Sequence, residues 1–529
     1  MILAPLCAVS LIVVSITLWI KYKKTYTHWT KLGLKQRTTP WPLLGDFWPL
    51  CLGRTNLMEL MDYFYYLNPQ SRYEAIYHLS YPAILLKDPE LIKQLAVKDF
   101  DYFTDRINIA PSEEADGLWS NNLLALKGKK WHDMKMLLSG AFTSSKMRFL
   151  YEIISETSED FVKHFLDKPE ALIEVDLKEA FGIFSSDVIA TSAFGIKVDS
   201  IENPHNEFFE MGKAATNFKG FLTVIKLFLL SLFPWVFRKL KIGFFPQKVV
   251  TFFTNLIQET VAAREKLHIV RPDVLQLLLE VKNGPGIEDE GKELNVAKDQ
   301  QFISSRLRMK KHPITNQDIV SHAVAFLLAG YETVSSTLSF TCHELAVNAD
   351  VQDKLRKEIN ETWDEYDGKL TYQALLGMKY LDMVLSESLR KWPVIPVLDR
   401  VCVKQYTIPA SRNEPAVTLN SGDRILISSR SIHHDVQYYE EPNKFDPDRF
   451  EGKNIINPLT YMPFGVGPRS CIGTRFAFLE IKSVLCDLLR NFEIVPVEKT
   501  QIPLKLAKRS MAVDVEKGFI VGLKQVKKC

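Results

Sequence analysis

The sequence predicts a mainly α-helical protein, with one large helical domain that carries small β-sheets and a transmembrane helix at the N-terminus. Three observations lead to this prediction. Apolar residues recur at helical spacing over long stretches, whereas strand-like runs are short and occur in two places. With 46% hydrophobic and 11% aromatic residues, the chain can bury a large core. A stretch without charges opens the chain, and no Pro/Gly/Ser-rich linker divides the rest.

Composition and charge exclude several classes of protein. A hydrophobic content this high, beside 24% charged residues, rules out disordered, collagen-like and coiled-coil chains. The 66 Lys and Arg against 63 Asp and Glu leave a formal charge of +3, too little for a protein that works by neutralising a phosphate backbone. The seven cysteines show no C-x-x-C spacing, which argues against a disulfide framework and a structural zinc site. Because the charge is nearly balanced, we expect no nucleic-acid partner.

The first twenty residues predict a membrane anchor. Residues 2–20 carry no charge, and Lys21, Lys23 and Lys24 follow at once. As a helix, this stretch spans about 28 Å, close to the hydrocarbon core of a bilayer. A cleavable signal peptide would carry its basic residues first, and a buried core helix is the second alternative. By the positive-inside rule, the chain after the lysines is expected to stay in the cytoplasm.

After the anchor, the chain is predicted to divide into a linker and one domain. Residues 21–45 are basic and contain Pro40 and Pro42 on either side of Trp41, which disfavours a helix and predicts a short stiff linker. Residues 46–529 then form a single large domain.

Hydrophobic patterns place the elements of this domain. Long helices are predicted at 144–166, 249–267, 315–348, 351–365 and 380–391. Strands are predicted within 73–86 and 406–427, and an exposed loop at 284–300. Residues 221–237 are apolar apart from Lys226, which predicts either a buried helix or a second contact with the membrane.

A cysteine at a loop-to-helix junction is the main chemical signal. Residues 464–473 (FGVGPRSCIG) contain three glycines and a proline, which prevent a regular helix until Thr474. Cys471 therefore precedes a helix N-terminus, where N–H groups stabilise the thiolate that ligates a metal. The glycines let a flat cofactor approach the backbone, and Arg469 is placed for an anionic group. The alternative is a buried structural cysteine.

This segment resembles the haem-binding loop of the cytochrome P450 superfamily, F-x-x-G-x-R-x-C-x-G. The sequence matches it at Phe464, Gly467, Arg469, Cys471 and Gly473. The resemblance extends along nearly the whole domain and implies the cytochrome P450 fold, with 46–529 as the haem-thiolate catalytic domain. It implies haem b (iron protoporphyrin IX), with the thiolate of Cys471 as the metal ligand.

Two further segments resemble the structural brace of this family. Glu387 and Arg390 form an E-x-x-R pair, which precedes Cys471 by about 80 residues. Arg449 lies in Pro447-Asp448-Arg449-Phe450, similar to the family's P-x-R-F segment. The resemblance implies that Glu387, Arg390 and Arg449 form a network that supports the haem loop. An unrelated surface pair is the alternative.

Residues 329–333 (AGYET) resemble the family's oxygen-binding segment, A-G-x-E-T. They place a carboxylate and a hydroxyl inside an apolar helix, which is costly unless these groups serve a buried site. The resemblance implies that Thr333 helps to deliver protons during oxygen activation, that Glu332 is its acidic neighbour, and that Ala329 lies over the haem. Gly330 weakens the helix and predicts a local opening. The alternative for Thr333 is a hydroxyl bonded to its own helix.

The resemblance also assigns residues around the haem propionates, by position in the family pattern. These are Trp131, Lys135, Arg106, Arg400 and Arg469. Lys135 departs from the usual W-x-x-x-R, and its point charge predicts a weaker or water-mediated contact than a bidentate arginine would make. Gly140 also replaces a usual proline, and Asp448 replaces the more common glutamate.

What the resemblance implies is a monooxygenase anchored in the endoplasmic reticulum membrane, with its catalytic domain facing the cytoplasm. It would insert one oxygen atom from O2 into lipophilic substrates, either xenobiotics such as insecticides or plant toxins, or endogenous lipids and hormones. The likeness is to the drug-metabolising and insect detoxification clan of microsomal members. No G-x-G-x-x-G unit for a flavin or nicotinamide is visible, so electrons are expected from NADPH–cytochrome P450 reductase, with cytochrome b5 as a further partner.

Two other functions remain open at this stage. One is a haem-thiolate isomerase or dehydratase that needs no reductase, and the other is a non-enzymatic membrane haem-binding protein. For the reductase, a basic surface is expected from five residues: Lys127, Lys129, Lys130, Arg475 and Lys482. The substrate is expected to lie against Ala329 and Thr333, between walls formed by residues 107–124, 218–235, 394–397 and 510–512.

Overall fold

The structure is a computed structural model, and it describes residues 22–108, 117–283, 314–412, 414–452, 456–508, 510 and 512–526. The predicted anchor at residues 1–20 and the predicted loop at 284–300 lie outside the described residues.

α-Helices dominate the described residues, which confirms the mainly α class. In the first half of the chain they are α1 (His28–Lys31), α2 (Trp48–Cys51), α3 (Leu57–Tyr66), α4 (Pro89–Lys93), α5 (Gly117–Ser120), α6 (Gly128–Leu138), α7 (Ser144–Leu166), α8 (Leu177–Ile189), α9 (Glu207–Ala215), α10 (Phe221–Leu232), α11 (Pro234–Lys239), α12 (Gln247–Leu267) and α13 (Val274–Asn283). In the second half they are α14 (Asn316–Val347), α15 (Ala349–Glu365), α16 (Tyr372–Gly377), α17 (Lys379–Lys391), α18 (Ser429–His433) and α19 (Thr474–Asn491). The five long helices predicted from periodicity are all present, with bounds that agree to within two residues.

Helix α14 is the central element of the domain. It begins at a capping box, in which the Thr315 hydroxyl accepts from the Asp318 N–H and the Asp318 carboxylate accepts from the Thr315 N–H. By length and composition it is the one helix in the described residues that could cross a bilayer, but 72% of its apolar window is buried inside the protein. The helix packs along α8 and also contacts α19, which itself packs along α7. It is therefore a core helix.

Short strands form three small sheets, which confirms that the sheets are small, but strands also occur outside the two predicted places, 73–86 and 406–427. They are β1 (Tyr73–His78), β2 (Tyr81–Leu86), β3 (Leu172–Asp176), β4 (Val397–Val401), β5 (Tyr406–Ile408), β6 (Val417–Leu419), β7 (Arg424–Ser428), β8 (Phe492–Val495) and β9 (Ile520–Gln525). The largest sheet has the order β1-β2-β7-β4, in which β2 and β7 are parallel and the other pairs are antiparallel. The others have the orders β3-β9-β8 and β5-β6. In the large sheet, Arg400 of β4 pairs with Ile425 of β7.

The hydrophobic core joins distant parts of the chain. One cluster of buried side chains runs from Leu118 to Leu523 around α14, and a second surrounds the four-stranded sheet. Trp29 belongs to the second cluster, is fully buried, and donates from its indole nitrogen to the carbonyl of Ile76, 2.8 Å away. The first part of the predicted linker thus packs on the sheet, because its aromatic residues find an apolar surface there.

The apolar run at 221–237 forms α10 and α11, with a break at Phe233 before Pro234. Val224, Leu227, Phe228 and Leu230 are buried, whereas Leu222 is 80% exposed. The inner face of this segment is therefore buried, as one alternative predicts, and the second contact with the membrane stays a prediction.

Candidate active site

The loop that precedes Cys471 is shaped by two glycines in the left-handed region. Gly465 has φ +82° and Gly467 has φ +69°, and Gly467–Arg469 form a 3-10 turn. A Cβ on Gly467 would collide with the carbonyl of Ala96. The Cys471 N–H donates to the carbonyl of Phe464 over 2.9 Å, and α19 begins three residues later. The loop is therefore closed on itself immediately before the sulfur, and no α-helix forms in it before Thr474, as the glycines and the proline predict.

Cys471 is the one exposed thiol among the five cysteines that the structure describes. The others are buried, and burial raises the pKa of the Cys402 thiol to about 11. Cys471 lies three residues before the first residue of α19, as predicted from the sequence. Its sulfur is thus accessible to a metal.

Two phenylalanines lie near this loop. The ring of Phe464, the first residue of the motif, packs on Phe478 with a centroid distance of 5.5 Å. A Cβ placed on Gly473 would lie 3.9 Å from both the Cys471 Sγ and the Phe142 ring. Phe142 also packs against Phe326 of α14, at 6.0 Å. The sequence analysis missed Phe142, which joins the cysteine loop to the central helix.

Helix α14 presents Ala329 and Thr333 on one face. Ala329 is exposed and Thr333 half-buried, although most of the helix around them is buried. They are four residues apart, and Phe326 precedes Ala329 by three, so all three share a face. The Thr333 hydroxyl donates to the carbonyl of Ala329 over 2.5 Å, the bond that the alternative interpretation expects.

The predicted opening at Gly330 is wrong, because α14 is α-helical without a break through residues 329–333. A Cβ on Gly330 would overlap the side chain of Ile189 at the end of α8. Glycine is therefore present here because two helices pack closely.

Glu332 has a partner that the sequence analysis missed. The Lys178 ammonium lies 2.9 Å from Glu332 Oε1 and also donates to the hydroxyls of Ser335 and Ser336, at 2.9 and 2.6 Å. Burial lowers the pKa of Lys178, while the charge of Glu332 opposes that shift. Lys178 lies in the first turn of α8, 154 residues from Glu332, so no local pattern could have found it.

Four cations converge beside the cysteine loop, as the family pattern implies, and together they form the cation cluster: Arg106, Lys135, Arg400 and Arg469. Arg469 stacks on Trp131, with 3.8 Å between the guanidinium carbon and the ring centroid, and donates to the carbonyls of Thr104 and Leu126. Arg400 donates to the carbonyl of Val466 over 2.9 Å, and Arg106 to that of Arg469 over 3.4 Å.

The cation cluster carries more positive charge than its surroundings balance. Burial, followed by the charges of Arg106 and Arg400, lowers the pKa of Arg469 to about 9, and burial followed by Arg106 lowers that of Arg400 to about 10. The Nε atoms of Arg106 and Arg400 are buried and have no hydrogen-bond partner among the described residues. Buried unpartnered donors of this kind have capacity for an anionic ligand. Two carboxylates of a flat cofactor would fit them.

Lys135 differs from its neighbours in the cluster. Its ammonium donates to the carbonyls of Pro468 and Ser470, the latter at 2.9 Å. Burial, followed by the charge of Arg469, lowers its pKa to about 8. The lysine is thus engaged by the cysteine loop itself.

The brace residues meet in the interior. Glu387 and Arg390 are fully buried and form a two-bond ion pair at 2.7 and 2.8 Å, and the Arg449 Nε lies 3.2 Å from Glu387 Oε1. Arg390 also donates to the carbonyl of His433, whose Nε2 accepts from the Met462 N–H at 2.9 Å. Burial lowers the pKa of His433 to about 3, so the ring is neutral and can accept.

His433 was missed by the sequence analysis, and it links the brace to the cysteine loop. Met462 in turn accepts from Gly465 over 3.0 Å, inside that loop. The surface-pair alternative for Glu387 and Arg390 does not agree with their full burial.

One predicted member of the basic surface is misplaced. Lys127, Lys129, Lys130 and Arg475 are exposed, but Lys482 is buried. It donates to the carbonyl of Leu375 and pairs with Asp382, both at 2.8 Å. The prediction for Lys482 is wrong because its position on α19 faces α16 and α17 instead of solvent.

Comparisons with known proteins agree with this geometry. Residues 37–522 match the family model described as Cytochrome P450. The chain is 42% identical to Cytochrome P450 9e2 of Blattella germanica, over 92% of this chain and 91% of that protein. It is 34% identical to Probable cytochrome P450 9h1 of Drosophila melanogaster, over 97% of both chains. It is also 34% identical to Cytochrome P450 6k1 of Blattella germanica, over 95% of this chain and 93% of that protein.

These relatives confirm the resemblance to the insect members of the superfamily. A haem cofactor, O2, a small-molecule substrate and a redox partner follow from the family. The chain belongs to the cytochrome P450 family, and it is a haem-dependent monooxygenase and hence an oxidoreductase.

Proposed function

We propose that this protein is a membrane-anchored monooxygenase that inserts one oxygen atom of O2 into lipophilic substrates, with electrons that come from NADPH through a separate reductase. The observation that carries the proposal is the accessible sulfur of Cys471 beside a buried cluster of cations with unpartnered donors. Haem b would meet these residues through its iron, which would bind the Cys471 thiolate, and through its two propionates, which would face the cations.

In this proposal, the thiolate of Cys471 would ligate the haem iron and the arginines would hold the propionates. Arg106 and Arg400 have free Nε donors, and Arg469 is fixed by Trp131 and two carbonyls. The haem would supply the chemistry of reductive O2 activation, to which a thiolate ligand such as Cys471 is suited. Phe464, Gly467 and Gly473 shape the loop so that the sulfur stays accessible.

Thr333 and Glu332 would supply protons to the reaction. The Thr333 hydroxyl lies on the half-exposed face of α14, where its bond to the Ala329 carbonyl gives it a defined orientation. A hydroxyl can donate and accept at once, so it can pass a proton on without a net change in charge. The carboxylate of Glu332 is held one residue away by Lys178.

The surfaces predicted to contact the substrate favour an apolar molecule. Ala329 is exposed on α14, and Ile395 is 47% exposed in the segment 394–397. Neither carries a polar group, so a neutral lipophilic molecule loses no hydrogen bond there. Lys219 and Ser510 are bridged through their backbones, which brings two of the predicted walls side by side. The class of lipophilic substrate includes both xenobiotics and endogenous lipids.

An exposed apolar surface supports a second contact with the membrane. We call the exposed side chains of α10, α11 and the chain around them the outer apolar face: Trp41, Leu222, Trp235 and Leu240. Arg238, Lys239 and Lys241 flank it, and α10 packs against α2, close to where the predicted anchor joins the domain. Aromatic and basic residues together favour the lipid–water interface.

The exposed lysines near the cysteine loop support docking of the reductase. Lys127, Lys129 and Lys130 lie at the start of α6, and Arg475 lies at the start of α19, so all four are close in sequence to groups that would contact the haem. An acidic partner such as NADPH–cytochrome P450 reductase, or cytochrome b5, would be steered to such a surface. Attachment to the endoplasmic reticulum with a cytoplasmic catalytic domain would place the chain on the same side as these partners.

The ferrous–CO complex tests the proposal. The wild-type protein should show the red-shifted Soret band of a thiolate ligand, and Cys471→Ala should remove it, whereas Cys51→Ala should keep it because that thiol is buried elsewhere. An unshifted band in the wild type would contradict the assignment.

Reconstitution with and without reductase and NADPH completes the test. Product that forms only when both are present supports the proposed monooxygenase. Turnover without NADPH or reductase would contradict the proposed supply of electrons.

A further inference from the structure

Lys135 stands where the W-x-x-x-R pattern has an arginine, and its contacts differ from those of Arg106 and Arg400 in the same cluster. Lys135 lies on α6, one turn after Trp131, and its ammonium donates to the carbonyls of Pro468 and Ser470. The Ser470 carbonyl belongs to the peptide whose nitrogen is that of Cys471. The ammonium is therefore one peptide group away from the proposed metal ligand.

We propose that Lys135 is a positioning residue for Cys471, which ties the cysteine loop to α6, and that it is not a propionate ligand. The inference rests on the proposed ligation of haem by Cys471. An ammonium is a compact donor with three N–H bonds that can converge on two nearby carbonyls, whereas the planar fork of an arginine suits a carboxylate.

The loop is built so that these two carbonyls converge. The left-handed glycines Gly465 and Gly467 and the 3-10 turn that ends at Arg469 fold the backbone back on itself. The carbonyls of Pro468 and Ser470 thereby point to one ammonium, while the side chain of Arg469 between them points to Trp131.

A chain of hydrogen bonds then reaches across the cysteine. Lys135 donates to the Ser470 carbonyl, and the N–H of the same peptide, on Cys471, donates to the carbonyl of Phe464 over 2.9 Å. A cation on the carbonyl polarises the peptide and strengthens the donation by its N–H. The ammonium thus supports the closed loop immediately before the proposed metal ligand.

The donors of the cation cluster divide accordingly. Arg106 and Arg400 each keep a buried Nε without a partner in the described residues, so they have capacity for a propionate. Lys135 already has two acceptors. The contrast assigns the propionates to the arginines and the loop to the lysine.

Two rates measured on the full-length, haem-loaded protein test this assignment. The first is the rate at which the red-shifted Soret band of the ferrous–CO complex converts to the unshifted band in mild urea, while haem stays bound. The second is the rate of haem transfer to apomyoglobin. Lys135→Met removes the donor, and Arg106→Met is the matched control for a propionate contact.

We expect Lys135→Met to speed loss of the red-shifted band about tenfold, as for a lost charge-assisted hydrogen bond, and to change haem transfer less than about threefold. Arg106→Met should do the reverse. The inference is wrong if Lys135→Met behaves as Arg106→Met does, or if it changes neither rate. If Lys135→Met does not fold, Lys135→Gln, a neutral donor, gives the same comparison with a smaller effect. A wild type without a red-shifted band would instead contradict the proposed function itself.

Discussion

The ammonium of Lys178, in the first turn of α8, lies 2.9 Å from Glu332 Oε1. Glu332 directly precedes Thr333, whose hydroxyl is proposed to deliver protons. The side chains of Lys178 and Glu332 are 16% and 20% exposed, so water screens the pair only in part. Lys178 also bonds Ser335 and Ser336, which fixes it against α14. The carboxylate of Glu332 therefore has a set orientation relative to Thr333.

We predict that Lys178→Met lowers the rate of product formation about tenfold, while NADPH is still consumed. Without its cation the carboxylate of Glu332 loses its fixed position, and small displacements of a proton donor are costly. Product formed per NADPH and the solvent isotope effect in D2O would measure the change.

Lys213→Met is the matched control, because Lys213 pairs with Glu179 on the surface, at 55% and 65% exposure. It should change neither quantity. Full coupling in Lys178→Met would show that the pair has no part in proton delivery.

The brace should be far more important for stability than a surface ion pair. Glu387→Ala leaves the fully buried Arg390 without its partner, which typically costs about 3–5 kcal/mol. We expect the free energy of unfolding to fall by that amount and haem incorporation to drop, as measured by urea titration and by the ratio of Soret to protein absorbance.

Lys354→Ala gives the comparison for this prediction. Lys354 and Asp448 form a pair with both side chains about half exposed, so its loss should cost less than about 1 kcal/mol. Equal losses in the two variants would contradict the proposed role of the brace.

Gly467 should tolerate no side chain. Its φ of +69° strains any other residue, and a Cβ would meet the carbonyl of Ala96, so Gly467→Ala must shift the cysteine loop. We predict a protein with a reduced red-shifted Soret band. Gly128→Ala separates the two causes, because Gly128 has φ +50° and open space around its Cα. It should cost about 1 kcal/mol of stability and keep the band.

The helices could be predicted because their periodicity is local, and the brace and the cysteine loop because their short motifs resemble those of a known family. The periodicity of 144–166 reappears as α7, and the E-x-x-R pair lies on a single helix. Lys178, Phe142 and His433 belong to no such pattern or motif, since each acts through a contact made only when distant segments pack. Gly330 was misinterpreted for the same reason: its neighbour Ile189 lies on another helix, and no local pattern distinguishes a glycine that opens a helix from one that lets a helix approach.

The pH dependence of stability should include a contribution from Asp46. Burial raises the pKa of this carboxyl to about 6, although the Tyr77 N–H donates to it over 2.7 Å. Because the folded pKa lies above the unfolded value of 3.8, the native state holds the proton more tightly. Its contribution to stability is therefore fully present below about pH 4 and is lost as the pH rises to about 6.

Asp46→Asn removes this titration, because the amide keeps an acceptor and carries no charge. We predict that the variant is more stable than the wild type above pH 6, by on the order of 2–3 kcal/mol, and that the difference shrinks towards pH 4. Urea titrations between pH 4 and pH 8 would measure it. A difference that does not vary with pH would show that Asp46 is ionised throughout.

The outer apolar face should enter the lipid surface when the full-length protein is in vesicles. A nitroxide on Leu222→Cys would lie at a side chain that is 80% exposed and surrounded by apolar and basic residues. The matched control is Leu267→Cys, which is 64% exposed at the far end of α12, about 30 Å along the helix from Gln247. We expect the first label to collide mainly with O2 dissolved in the lipid, and the second with a water-soluble nickel chelate. Equal accessibility of both labels to the chelate would show that the anchor alone holds the protein on the membrane.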